Sequence, residues 1–254
     1  MLMTLQLLLM FGNLSVGGKR IKMNLEPEQF SLPENFTGVL PIFPVTGTVF
    51  FPKTLLPLHI FEPRYRKMLA DCIVGEKLIG IVYSTVDKSS TVSVHRVGTI
   101  GKIAVAERLP TGESNIVLSG VERFFLSENP ELKDYLVARI TVFPEMLPSS
   151  GDPVMYAQLK RLMELVGESG VLDLGDLEIP AGGGALAFQY HSLINALCSV
   201  AGVPLHSKQK WLELQSVNER YRNILPVVSQ IIESENLLKE VSHMAPDKDK
   251  IGLN

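Results

Sequence analysis

The chain is poor in most of the residues that would announce a chemistry. It has only two cysteines, Cys72 and Cys198, in 254 residues. They are far apart and cannot make a zinc site between them. Both fall on segments that read as amphipathic helices, a setting for reduced, buried thiols in a cytoplasmic protein. The histidines, His59, His95, His191, His206 and His243, show neither HxH nor HxxxH spacing, so no metal is expected. Basic charge is not in excess either: 24 Lys and Arg against 27 Asp and Glu leave a formal net charge of −3. That balance argues against the electrostatic footprint of a nucleic-acid binder. No apolar run is long enough to span a bilayer. Met1–Phe11 is too short, has no basic residues ahead of it, and is not followed directly by a small-residue cleavage site. Stable membrane insertion is not expected. A translation start placed too early, with Met23 as the alternative initiator, is preferred to a disordered tail or a weak membrane-associating segment.

A nucleotide site is also missing. The closest approach to a phosphate-binding loop, Asn13–Arg20 (NLSVGGKR), lacks the first glycine and carries Arg20 where a hydroxyl must hold magnesium. Gly182-Gly183-Gly184 reads as a loop between helices, because no lysine or hydroxyl follows it as a phosphate partner. No cofactor is expected.

What is present is a change of period along the chain. From Gly38 to about Glu145 the pattern is mostly strand. Leu78–Tyr83 is a short apolar run of the buried-strand type, and Thr91–Val97 alternates. Ile103–Leu109 and Ser114–Leu118 flank Pro110-Thr111-Gly112-Glu113 as a hairpin. Val121–Leu126 and Tyr135–Phe143 follow as strands. Tyr65, Met68, Leu69 and Cys72 interrupt the set with helical spacing, giving one buried stripe. After the turn formers Pro148–Pro153 the period becomes helical: Val154–Val166, Leu186–Val200, a short helix with Trp211 capped by Ser207, and a long helix opened by the capping box Ser216-Val217-Asn218-Glu219. Pro226 should kink or split that last helix.

The run Leu40–Met68, LPIFPVTGTVFFPKTLLPLHIFEPRYRKM, is the most specific stretch. Its prolines confine Leu40–Pro44 and Leu55–Phe61 to sheet edges or strand ends. Glu62-Pro63 then opens a helix with proline at its first position. With its FP, LPLHIFE and RY elements in this order, it resembles the start of the Lon N-terminal, substrate-binding domain. The form it most resembles is the stand-alone one, with no ATPase or protease attached. Gly98-Thr99-Ile100, the GxxRF string Gly120–Phe124, and Pro204-Leu205, Lys208-Gln209, Glu219-Arg220 and Ile224-Leu225 extend the resemblance over about residues 38–241.

The resemblance implies an α+β fold: an N-terminal PUA-like β pseudo-barrel followed by a C-terminal helical bundle. The corresponding division is an extension (1–37), disordered or mis-assigned, a barrel (38–147), a helical part (148–242) and a tail (243–254). It implies a non-catalytic protein-binding module for unfolded or degron-bearing polypeptides in protein quality control, cytoplasmic, with a separate protease as a candidate partner. The alternatives are a peptidase-related hydrolase with an unrecognised active site, or an RNA-binding module of the PUA-like kind; the charge balance argues against the second. No catalytic residue is nominated. His59 reads as a structural residue at a strand–helix junction, and Glu62 and Arg66 as i, i+4 helix partners. The polypeptide-binding candidates are Phe50, Leu55 and Leu56 in the apolar stretch Val45–Leu56. If that stretch is extended, Phe50 and Phe51 face opposite sides. Phe51, next to Pro52, is then the core residue, and Phe50 is the exposed anchor.

Overall fold

A computed structural model describes residues 13–16, 19–22, 30–86, 92–149, 152–168 and 183–244. Met1–Phe11, Met23, Ser150, Gly151 and Gly182 lie outside these residues, as does most of the tail. Within the stretch expected as an extension, β1 (Asn13–Val16) and β2 (Lys19–Lys22) pair antiparallel as a sheet of their own.

The main sheet has 7 strands: β3 (Val39–Val45), β4 (Leu55–Ile60), β5 (Leu78–Val86), β6 (Val92–Arg108), β7 (Ser114–Leu126), β8 (Glu131–Leu132) and β9 (Leu136–Val142). Its neighbours run β4-β7-β6-β5-β3-β9-β8, and a further β7–β9 pairing closes β7, β6, β5, β3 and β9 into a barrel. All pairings are antiparallel except β3 with β5. β6 and β7 each run unbroken where the sequence suggests two strands. Register shifts between Thr99 and Gly101 and between Ile103 and Val105 bend β6 without ending it, which is how a long strand follows a barrel wall. Leu40, Ile42, Val82, Ile100, Val121, Phe124 and Ile140 fill the interior.

Helix α1 (Pro63–Val74) follows β4 and buries Tyr65, Met68, Leu69 and Cys72, the stripe the spacing predicts. These pack on Phe50, Leu56, Ile60, Ile79, Ile81 and Leu118, a second core on the barrel's flank. Each large apolar side chain so buried contributes about 1.5–3 kcal/mol. The helical part holds α2 (Pro153–Glu168), α3 (Gly183–Val200), α4 (Leu205–Glu213) and α5 (Val217–Met244). Its core includes Val49, Phe51 and Val97 from the strand region, so the helices sit directly on the barrel.

Three local expectations are corrected. Gly183 and Gly184 begin α3 and are not loop. Pro204 caps α4, and Ser207 lies inside it. Of the kink or split expected at Pro226, the split is corrected: α5 runs through it as one helix, and Pro226 is exposed, so the Arg222 carbonyl that loses its donor lies on the wet side of the helix.

Candidate functional site

The loop from Val45 to Leu56 does not present an aromatic anchor. Phe50 is 5% exposed and Phe51 0%, and Leu55 and Leu56 are buried as well. The expectation of an outward Phe50 is therefore corrected. Its premise of opposite sides was sound, but both sides are occupied: Phe50 joins the core beneath α1, and Phe51 joins the helical core. The loop is also bolted down by hydrogen bonds. The Thr99 hydroxyl donates to the Phe50 carbonyl at 2.6 Å, and the Thr54 hydroxyl to the Phe51 carbonyl at 2.7 Å. Lys53 takes a positive φ of 58°, and its ammonium donates to the carbonyls of Phe30 and Val121. Gly120 is needed here because a Cβ at that position would run into the Phe51 carbonyl.

A second cluster joins the barrel to the helices. Arg123 on β7 and Arg220 on α5, the arginines of the GxxRF and ER motifs, have no exposed surface. Arg123 donates to the carbonyls of Leu212, Leu214 and Pro144. Arg220 donates to the Trp211 and Leu214 carbonyls and to Asn195, which in turn donates to the Pro52 carbonyl. Glu145 sits between the guanidiniums, paired with Arg220, with Arg123 at 3.6 Å, and with His191 on α3. Burial opposes the charged form of Glu145, but His191, Arg220 and Arg123 outweigh it and hold the carboxyl at about 2. This arrangement locks two parts of one molecule.

Other residues with chemical potential are used structurally. His59 bonds Asn115 at 2.8 Å on the neighbouring strand β7. Glu62 pairs with Arg64 at 2.8 Å, so the expected pairing of Glu62 with Arg66 is corrected. Lys208 donates to the backbone carbonyl of Ser199, whose hydroxyl donates to Ala196, so neither points at the other as nucleophile and base would. Burial pushes the thiols of Cys72 and Cys198 up to about 12, far from a reactive thiolate.

One open feature among the described residues is a groove of about 590 Å³ between α1 and the end of the β6–β7 hairpin. Two facts about the strands create it. β5 pairs with β6 only as far as Leu78 with Lys102, plus one bond from the Ile103 N–H to the Lys77 carbonyl. Beyond that, β6 continues to Arg108 with β7 on one side only. The hairpin turn then fixes which backbone groups face outward. The Leu109 N–H bonds the Glu113 carbonyl. By alternation Glu107 faces β7, and the N–H and C=O of Ala106 and Arg108 face away from it, toward the groove.

Across from this edge, α1 offers Leu69, Ala70 and Ile73 as an apolar wall, with Arg66 one turn before Ala70. The lining includes three cations, Arg66, Lys67 and Arg108, and no carboxylate. Lys67 is held by Asp71 and Asp134 at 3.6 and 3.3 Å. Arg66 and Arg108 are exposed and in no ion pair among the described residues. Gly112, at φ 82°, keeps the turn open where the Arg66 guanidinium lies over it; a side chain there would collide with that group. The sequence does carry a trace of this second face of α1. Arg66, Ala70 and Ile73 recur at i, i+4 and i+7, beside the buried stripe.

Comparison with known proteins fits this architecture. The chain is 27% identical over 215 residues to the Lon protease of Cytophaga hutchinsonii, covering 82% of this chain and 26% of that protein. It is 27% identical over 237 residues to Lon protease 2 of Sorangium cellulosum, covering 88% of this chain and 28% of that protein. The chain thus spans about a quarter of the length of these curated relatives. A crystal structure of a Lon N-terminal domain protein from Xanthomonas campestris shares the fold, with a TM-score of 0.51 at 17% identity over 74% of this chain and 97% of the other. The N-terminal domain of Lon protease from Mycobacterium avium complex gives a TM-score of 0.52 at 18% identity, over 75% and 98%. Residues 39–230 match the family model of the ATP-dependent protease La (LON) substrate-binding domain, and the chain belongs to that family.

Proposed function

We infer that this chain is a binding module without chemistry of its own, which takes up unfolded or degron-bearing polypeptide in cytoplasmic protein quality control. A separate protease is the partner that would act on what it holds. The observation that carries this reading is the groove between α1 and β6, where apolar side chains stand opposite an unpaired strand edge. Those are the elements needed to hold an extended chain: main-chain bonds for affinity and pockets for side chains. Membership of the substrate-binding family supports the same reading. The small, exposed Ala70 on α1 provides the test. Ala70→Arg fills the groove from an exposed helical position and should leave the melting temperature nearly unchanged. The variant should bind a permanently unfolded, reduced and alkylated protein about tenfold or more weakly than wild type. Equal affinity would remove the groove as the site. No binding by wild type would remove the reading.

A further inference from the structure

We propose that the groove takes its polypeptide as a strand added to the free edge of β6, and selects segments in which acidic residues alternate with apolar ones. This rests on the polypeptide-binding reading above and adds a substrate class to it. Three observations converge on it. First, the backbone groups of Ala106 and Arg108 face the groove without a strand partner, so main-chain pairing is available only to an extended ligand. Second, the groove is lined by Arg66, Lys67 and Arg108 and by no carboxylate, although the chain as a whole carries a formal charge of −3. The two arginines engage no acid of their own among the described residues, while Lys67 is already shared by Asp71 and Asp134. Third, the apolar wall of Leu69, Ala70 and Ile73 lies beside those cations.

A strand bound on β6 presents successive side chains to opposite faces. A ligand that alternates carboxylate and apolar side chain can therefore turn every apolar group to the wall of α1. Its acids then lie on the other face, within reach of the long, exposed side chains of Arg108 on β6 and of Arg66, whose guanidinium extends from α1 to the hairpin turn at Gly112; their planar forks match a carboxylate. Basic segments meet like charge at the same positions and are turned away.

The test uses fluorescein-labelled peptides of about eight residues, a typical strand length, with Val and Leu alternating with Glu, Gln or Lys. Binding is read by anisotropy at low and moderate salt. The Glu peptide should bind at least about tenfold tighter than the Gln peptide, with the Lys peptide weakest and the advantage shrinking as salt rises. Arg66→Glu with Arg108→Glu should reverse the order of the Glu and Lys peptides. Arg66→Gln with Arg108→Gln should abolish the preference, and it serves if the charge reversal disturbs folding. Methylating the backbone amides along one edge of the Glu peptide should abolish binding, whereas methylating the other edge should not. Equal affinity for all three peptides, together with retained binding of an unfolded protein, would overturn the acidic preference and leave the module reading intact. Insensitivity to methylation of either edge would overturn the added strand. Tighter binding of a single-stranded oligonucleotide than of the Glu peptide would overturn the proposal and assign the arginines to phosphate. No binding of any polypeptide would overturn both readings.

Discussion

Two pairs of arginines in this molecule have opposite surroundings. Arg123 and Arg220 are fully buried at the joint between barrel and helices, share Glu145, and spend their donors on backbone carbonyls. Arg66 and Arg108 stand exposed beside a groove that offers them no carboxylate. A buried guanidinium must be neutralised and hydrogen-bonded within the protein, or its desolvation would unfold the chain. An exposed one is under no such demand, and its free donors remain available to something else. The comparison therefore separates what holds the fold from what can meet a partner, without reference to motif or family.

The sharpest break in the comparison should come from removing one buried arginine. Arg220→Met leaves Glu145 with fewer partners and takes the donor from the Asn195 side-chain oxygen, and it should cost about 3–5 kcal/mol by urea unfolding. A loss below about 1 kcal/mol would mean that the joint relaxes around the gap. Phe50→Ala should come next, at about 3 kcal/mol or more, because the ring is packed under α1 with Tyr65, Met68 and Leu69. Weakened client binding with an unchanged melting temperature would return Phe50 to the surface.

Acid should act on the joint. The Glu145 carboxyl lies at about 2 in the folded protein against its ordinary 4.5. The unfolded chain therefore takes up the proton first as pH falls. The stabilisation is complete above about pH 4.5 and is lost between there and pH 2, about 3 kcal/mol in all. Glu145→Gln should flatten that part of the stability profile, and an unchanged profile would show that other carboxylates govern it. The smallest effect should be on the groove. Arg66→Gln and Arg108→Gln should each change stability by no more than about 0.5 kcal/mol, and a larger loss would mean that these side chains serve the fold.

The same contrast explains what the sequence could and could not reveal. The buried arginines lie in the recognisable strings GVERF and NERY, whose spacing is set by local strand and helix geometry. Glu145, which pairs with both, is marked by no local pattern, because it meets them only through the closure of the chain. The stripe Tyr65, Met68, Leu69 and Cys72 was legible because burial on one helix face leaves a period. The burial of Phe50 is not legible in the sequence, because alternation tells which residues face apart and says nothing of what lies on each side. The groove was hidden for another reason. It exists because β5 stops pairing before β6 ends, and a strand edge left open is a property of register across the sheet.

The most direct test is amide hydrogen exchange of the wild-type protein with and without a permanently unfolded polypeptide. Binding on the open edge predicts new protection at the amides of Ala106 and Arg108 and along the groove side of α1. Amides around Arg123, Glu145 and Arg220 should exchange as before. New protection confined to other surfaces, with Ala106 and Arg108 unchanged under saturating ligand, would contradict the assignment of the groove as the site of polypeptide binding.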